Sequence, residues 1–218
     1  MPPLIKQNKK IVKAIIFDFD GVIAESVQVK TDAFAELYSS YGKNVVEKII
    51  KHHEANGGIS RFEKIKYYHK TFINIVLTEK GIKALAERFS ELVVNKVIEA
   101  PYVPGSLEFI DSNYEKYKQF ISTGTPTEEI KQILKERKIN HYFTGVFGSP
   151  EKKINHIDQI LSTYKLKSNE LIFIGDSKTD LVAAEKANIK FILVKNKFNV
   201  ELSQDYDGHI INDFVGLS

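Results

Sequence analysis

The stretch AIIFDFDGVI, residues 14–23, decides how this chain folds. It continues an apolar run rich in β-branched residues, so residues 12–17 are predicted to form a buried strand. Asp18 and Asp20 follow at once, one residue apart, and a glycine comes next. Two carboxylates at the end of a buried strand raise the question of which other residues of the chain lie beside them in the folded protein.

Composition restricts the classes of protein that the chain can belong to. It has 218 residues, of which 43% are hydrophobic and 27% charged, and this suits a soluble protein of one large or two small domains. A net charge of +3 argues against a dedicated nucleic-acid binder, and the lack of cysteine excludes disulfides and thiolate chemistry. The segment MPPLIKQNKK has no signal-peptide core, and later apolar runs stop at four residues. We therefore expect a cytoplasmic monomer or homodimer without a membrane or nucleic-acid partner.

The second half of the chain alternates between helical and strand patterns. Helices are predicted at 105–115, 126–138, 151–164 and 178–187, and strands at 118–123, 143–148, 170–175, 190–194 and 209–211. Such alternation is typical of a parallel sheet that carries helices on both faces. The sequence therefore predicts an α/β fold.

The region between the first strand and this alternation has helical periodicity and little strand signal. One helix is predicted to stop at Gly42, a second to begin at Ser60 with Glu63 as its capping-box partner, and a third to span 79–98. We predict a core of residues 1–24 and 101–218. Residues 25–100 form an inserted helical domain, here called the cap segment, and it should hang over the end of the first strand.

Ligands of open parallel sheets bind beyond the carboxyl ends of the strands, where the motif ISTGTP also lies. Thr123 ends a predicted strand, Gly124 permits close backbone approach, and Pro126 suits the first helical position. The start of that helix would attract an anion such as phosphate. The simpler interpretation is helix capping alone, with Thr125 as N-cap and Glu128 as its partner.

Two more strand ends carry charged residues. FGSPEKKIN places Lys152 and Lys153 at a strand end, although a lysine pair is usually a solvated face. IGDSKTD places Asp176 after four apolar residues and a glycine. Asp180 has capping-box spacing from Ser177, so it could serve only to start a helix.

Asp176 adds a third carboxylate to the edge that holds Asp18 and Asp20. Three carboxylates there would repel one another unless a cation joins them, and carboxylate oxygens suit Mg²⁺. The simpler interpretation is surface aspartates at turns, where this residue is common. The combination of four motifs, each ending a predicted strand, disfavours it.

These four motifs resemble those of the haloacid dehalogenase superfamily. DFDGVIAES looks like the first motif, ISTGTP the second, Lys153 the third and IGDSKTD the fourth, and the likeness covers residues 12–194. The branch it resembles is that of capped small-molecule phosphatases, which includes phosphoglycolate phosphatases and β-phosphoglucomutases. The resemblance implies a Rossmann-like core with a helical cap.

The resemblance also implies a mechanism. Asp18 would be the nucleophile that forms an aspartyl-phosphate, and Asp20 would act as general acid and then as general base. Mg²⁺ would be held by the carboxylates of Asp18 and Asp176 and by the backbone carbonyl of Asp20. The substrate would be a small phosphorylated metabolite, such as a sugar phosphate or a small organic-acid phosphate.

Other matched residues would bind the phosphate. Thr123, the Gly124 N–H and Lys153 would hold its oxygens, and Asp180 would orient the site from behind the metal ligands. The family motif often reads Lys-Pro, whereas Ile154 follows Lys153 here. Lys152 therefore stays open as a substitute for Lys153.

The cap segment offers candidates for substrate recognition. A Gly57-Gly58 pair precedes a helix that carries Arg61 and Lys64, which share one helical face. The pair would act as a hinge, and the two cations would recognise the distal part of an anionic substrate. The alternative is that both are solvated surface charges.

Four other functions share some of these motifs. A phosphomutase of the β-phosphoglucomutase type would share every motif named above, and a phosphate-binding module without turnover is disfavoured by the intact Asp20. Dehalogenation is disfavoured because it needs neither Asp20 as an acid nor a metal cluster. A phosphonate-cleaving relative would use a cap lysine, and no lysine of the cap segment is marked out by the sequence.

Overall fold

The computed structural model describes residues 12–217, so the segment MPPLIKQNKK, residues 1–10, lies outside them. The strands are β1 Ala14–Phe17, β2 Lys118–Pro126, β3 Gly145–Ser149, β4 Leu171–Gly175, β5 Lys190–Val194 and β6 His209–Ile211. They form one parallel sheet in the order β3-β2-β1-β4-β5-β6. The predicted α/β fold is confirmed, and β1 lies at the point where the strand order reverses.

Alternate residues of β1 face opposite sides of the sheet. Ile15 and Phe17 join one apolar core, and Ala14 and Ile16 join another. The first core packs against α5 (Ser106–Asn113) and α6 (Thr127–Glu136), and the second against α7 (Lys153–Thr163) and α8 (Lys178–Lys186). Both faces of the sheet are therefore covered by helices, as parallel sheets require.

Helices also fill the cap segment: α1 Val27–Leu37, α2 Lys43–Ala55, α3 Arg61–Tyr68 and α4 Glu79–Glu99. The N-cap prediction at Ser60 is confirmed, because its hydroxyl accepts a hydrogen bond from the Glu63 N–H. The prediction of one helix ending at Gly42 is wrong. Helix α1 ends earlier and a 3₁₀ turn precedes Gly42, whose φ of +88° separates that turn from α2.

Helix α2 was not predicted at all. Its N-cap is Gly42, which has no side chain to bind the free N–H groups of the first turn. The usual polar start signal is therefore missing from the sequence. The short helix α9 (Val200–Asp205) was also missed, and its N-cap residue likewise makes no side-chain capping bond.

The chain leaves and re-enters the sheet region side by side. The Glu25 N–H donates to the Pro101 carbonyl at 2.8 Å, and the Val103 N–H donates to the Ile23 carbonyl at 3.0 Å. Both junctions of the cap segment therefore lie together beyond β1. This pairing supports our proposal of a core of residues 1–24 and 101–218 with an inserted domain of residues 25–100. Within the described part of the chain, no helix is long and apolar enough to cross a membrane.

The N-terminus of α6 differs from the prediction. β2 continues through Pro126, which is the N-cap, and the first helical residue is Thr127. Thr125 is therefore not the N-cap, and its hydroxyl instead accepts a hydrogen bond from the Lys30 ammonium at 2.7 Å. The exposed Glu128 carboxylate pairs with Lys131. The capping interpretation of Thr125 and Glu128 is wrong.

Candidate active site

The predicted site residues converge at the carboxyl edge of the central strands. Phe17 of β1 is in register with Ile121 of β2 and Ile174 of β4. The residues that follow these positions therefore meet at one edge. One small cavity of about 70 Å³ lies at this edge. Its core lining is Asp18, Asp20, Thr123, Gly124 and Asp176, and its cap-segment lining is Val27, Lys30, Phe34, His53, Glu54, Gly57, Gly58, Ile59, Arg61, Lys64 and Phe89, of which Glu54 is an exposed residue.

Three aspartates and one lysine form a buried cluster. Oxygens of Asp18, Asp176 and Asp180 lie within 4.8 Å of one another. The Lys153 ammonium donates to Asp18 Oδ2 at 2.7 Å and to Asp180 Oδ1 at 2.5 Å. Lys153 is thus the lysine that reaches the site, whereas the neighbouring Lys152 is exposed and is the N-cap of α7.

Burial and mutual repulsion control the charges of this cluster. Burial raises the pKa of Asp18 to about 6, with Lys153 opposing and Asp180 and Asp20 adding to the rise. Burial, then Asp18 and Asp180, raise the pKa of Asp176 well above its usual range. Burial lowers the pKa of Lys153, but its bonds to Asp18 and Asp180 outweigh that and raise it. The single ammonium of Lys153 therefore does not neutralise all three carboxylates of the cluster.

The cluster fits a divalent cation. Three carboxylates face one ammonium, so the ionised cluster has two uncompensated negative charges, and its ligand atoms are the hard oxygens that Mg²⁺ prefers. Gly21 leaves the necessary room, because a Cβ built there would lie 2.2 Å from Asp176 Oδ2. The carboxylates of Asp18 and Asp176 belong to both the predicted metal set and this cluster.

The side chain of Asp20 points to a different set of partners. Its Oδ1 accepts from the Ser26 hydroxyl at 2.6 Å, and its Oδ2 accepts from the Lys30 ammonium. Burial acts to raise the pKa of Asp20, but Lys30 and Ser26 together lower it below its usual value. Asp20 is not part of the carboxylate cluster, so only its backbone carbonyl remains available for the predicted metal role. Lys30 was not predicted, because no motif in the sequence marks it.

Asp180 combines the two roles that the sequence suggested. Its Oδ2 accepts from the N–H and the hydroxyl of Ser177, which completes the capping box at the start of α8. Its Oδ1 accepts from Lys153. Asp180 therefore fixes both the helix start and the ammonium that contacts Asp18.

Two asparagines that the sequence did not mark hold Asp176. Asn196 Nδ2 donates to Asp176 Oδ2 at 2.8 Å, and Asn199 Nδ2 donates to the Asp176 carbonyl at 2.7 Å. Both follow the end of β5 at the edge where ligands bind. Asp176 was predicted because it is a polar residue just beyond a buried strand. Asn196, two residues beyond Val194, meets the same criterion.

The cap segment closes directly on the predicted phosphate-binding residues. A Cβ built at Gly124 would lie 2.6 Å from the Gly58 carbonyl, so only glycine allows this approach. The Thr179 hydroxyl donates to the Gly57 carbonyl at 3.0 Å. Thr123 is buried beside this contact, and its Oγ1 accepts from the Thr125 N–H at 3.2 Å.

Arg61 and Lys64 both lie inside the protein at this site. They are 4% and 3% exposed, so the interpretation of both as solvated surface charges is wrong. Arg61 forms a two-pronged ion pair with Glu129 of α6, and Lys64 donates to His53 Nδ1 at 2.8 Å. The structure brings both into the cavity but gives them different partners.

Comparison with known proteins identifies the family. The model of haloacid dehalogenase-like hydrolases matches residues 15–194, and the chain belongs to this family. A phosphoglycolate phosphatase of Vibrio parahaemolyticus is 25% identical over 81% of this chain and 80% of its own length. A phosphorylated carbohydrates phosphatase of Thermotoga maritima is 26% identical over 83% of this chain and 84% of its own length.

A solved structure shares the fold. It is that of a putative β-phosphoglucomutase from Bacteroides vulgatus, which superimposes with a TM-score of 0.74 at 19% identity and covers 94% of this chain and 85% of that chain. Together these matches confirm the resemblance inferred from the four motifs and the prediction of a hydrolase of the phosphatase branch.

Proposed function

We propose that this chain is a Mg²⁺-dependent phosphatase that acts on a small phosphorylated metabolite, a sugar phosphate or a small organic-acid phosphate, through an aspartyl-phosphate intermediate. The observation that carries the proposal is the buried cluster in which three carboxylates face the single ammonium of Lys153. Relatives that are named as phosphatases support the reaction class.

In the first step, an Asp18 carboxylate oxygen attacks phosphorus and the ester P–O bond breaks. Asp20 gives its proton to the departing oxygen, which leaves as an alcohol. Lys30 favours the ionised form of Asp20 in the free protein. A dianionic phosphate beside Asp20 acts in the opposite direction and favours its protonated form.

In the second step, Asp20 takes a proton from water, whose oxygen attacks the phosphorus of the aspartyl-phosphate. The bond between phosphorus and the Asp18 oxygen breaks, inorganic phosphate leaves, and Asp18 is a carboxylate again. The ion pair with Lys30 and the hydrogen bond from Ser26 orient Asp20 for both transfers.

The remaining residues control the charge of the transferring group. Mg²⁺, held by the carboxylates of Asp18 and Asp176 and the carbonyl of Asp20, would offset the repulsion between nucleophile and phosphate. Thr123, the Gly124 N–H and Lys153 bind the phosphate oxygens in this scheme.

The test is phosphate release from a panel of phosphate esters, with Mg²⁺ and after chelation. We expect activity that is lost in excess chelator and restored by added Mg²⁺. Full activity in excess chelator would contradict the proposal, and phosphate binding without release would favour a binding module.

A phosphomutase of the β-phosphoglucomutase type is the alternative, and the shared fold of the Bacteroides vulgatus structure is compatible with it. Analysis of products from sugar phosphates separates the two. A phosphatase releases inorganic phosphate, whereas a mutase returns an isomer with little phosphate release. For either enzyme we propose a cytoplasmic location.

A further inference from the structure

Three cations of the cap segment reach the small cavity beside the catalytic aspartates. Lys30 comes from α1, and Arg61 and Lys64 come from α3. Each could attract an anionic group on the substrate, as buried cations do. Their partners in the protein decide which of them is available to do so.

Two of the three are already neutralised. The Lys30 ammonium pairs with the Asp20 carboxylate. The Arg61 guanidinium pairs through both terminal nitrogens with Glu129, and the Ser90 hydroxyl donates to the same carboxylate at 2.6 Å. This buried network joins α3 and α4 to α6. Arg61 therefore has a structural partner and holds the cap segment against the core.

Lys64 is different. It is 3% exposed, yet within residues 12–217 no carboxylate lies within salt-bridge distance of its ammonium. Its hydrogen bonds go to Nδ1 and the carbonyl of His53, at 2.8 and 3.4 Å. The ammonium also lies 5.9 Å from the centre of the Phe34 ring.

The groups around Lys64 do not neutralise the positive charge of its ammonium. Burial and the nearby Lys30 lower its pKa to about 7, with Asp20 opposing. Burial, then Lys64 and Lys30, lower the pKa of His53 well below its usual value, so its ring is neutral and accepts the hydrogen bond. The hydrogen-bond partners of Lys64 are neutral, and the nearby Asp20 carboxylate is already paired with Lys30. A buried cation in this position gains most from an anion that arrives with the substrate.

We propose that Lys64, positioned by His53, binds a carboxylate on the alcohol part of the substrate, so that the preferred substrate is the phosphate ester of a short hydroxy acid. The proposal rests on the proposed phosphatase function. Asp20, which protonates the leaving oxygen, and Lys64 line the same cavity of about 70 Å³, so the carboxylate must lie only a few bonds from that oxygen. A neutral sugar would leave the ammonium unpaired.

The experiment compares two esters of similar size, 2-phosphoglycolate and 2-hydroxyethyl phosphate, which differ in the carboxylate. The measured quantity is the ratio of their kcat/KM values in wild type, Lys64→Met and Lys66→Met. Lys66 is a matched control because it is exposed on the same helix. An aryl phosphate reports the chemical step in every variant.

We expect wild type and Lys66→Met to prefer 2-phosphoglycolate, and the ratio to fall about 10- to 100-fold in Lys64→Met, the size of a hydrogen bond to a charged group. Lys64→Gln keeps a donor without the charge and should show most of the same fall. It also replaces the methionine variant if that variant does not fold.

An unchanged ratio in the folded Lys64 variants, or equal use of both esters by wild type, would overturn the assignment. In both cases hydrolysis of the aryl phosphate would still support the phosphatase. Failure to hydrolyse any of the three esters in Mg²⁺ would overturn the proposed function and this inference with it.

Discussion

The unpaired ammonium of Lys64 has a consequence for stability as well as for recognition. In the unfolded chain its pKa is 10.5, whereas burial and Lys30 lower it to about 7 in the folded protein. The groups that face it are His53 from α2, Lys30 from α1 and Asp20 from the loop after β1. Folding therefore disfavours the charged form of this lysine, and Lys64→Met should stabilise the protein.

The size of the effect follows from the shift in pKa. A shift from 10.5 to about 7 corresponds to about 5 kcal/mol at about 1.4 kcal/mol per unit. The unfolded state binds more protons between these values, so the penalty is full below about pH 7 and disappears as the pH approaches 10.5. Loss of the hydrogen bond to His53 costs about 1–3 kcal/mol of this gain.

The assay is urea unfolding of wild type, Lys64→Met and the exposed control Lys66→Met. We expect Lys64→Met to raise the free energy of unfolding by about 2–4 kcal/mol near pH 6, and by about 3 kcal/mol less near pH 9. Lys66→Met should show neither change. A difference that is independent of pH, or destabilisation at about pH 6, would refute the description of Lys64 as a buried unpaired cation.

Three further variants test separate parts of the site. Asp20→Asn should lower kcat for alkyl phosphates by about 10²–10⁴-fold while phosphate still binds, and near-normal kcat would remove Asp20 from proton transfer. Glu129→Gln leaves the buried Arg61 without a carboxylate and should lower the free energy of unfolding by about 3–5 kcal/mol, with unchanged urea unfolding as the contrary result. Gly124→Ala adds a Cβ 2.6 Å from the Gly58 carbonyl. It should raise KM for every ester, because the Gly57-Gly58 segment can no longer approach the phosphate-binding residues. Unaltered kinetics would show that this contact is not needed.

The parallel sheet and the aspartates of the site could be predicted, because each is marked by a short stretch of adjacent residues in the sequence. Apolar runs followed at once by Asp18 or Asp176 indicate buried strands that end at one sheet edge, and parallel order brings such ends together. The same rule covers Asn196, which was overlooked because an asparagine after a strand is also an ordinary turn residue. Helix α2 was missed because Gly42 gives it no side-chain cap.

The partners of the charged side chains could not be predicted, because they depend on how the helices pack. Arg61 and Glu129 are 68 residues apart, and only the packing of the cap segment against α6 makes them a pair. A pair of cations on one face of a helix is compatible with solvent, with a substrate or with a carboxylate elsewhere in the chain. The packing separates Arg61, which is paired, from Lys64, which is not.

The proposed mechanism passes through a covalent aspartyl-phosphate, and trapping that intermediate tests it directly. Asp20→Asn should still react with an aryl phosphate, whose leaving group needs no proton, but it should hydrolyse the aspartyl-phosphate slowly. Acid quenching, borohydride reduction and peptide mass spectrometry would then locate the modified residue. We expect modification at Asp18 that requires Mg²⁺ and is absent from Asp18→Asn. Continued turnover by Asp18→Asn, or modification at a different residue, would contradict it.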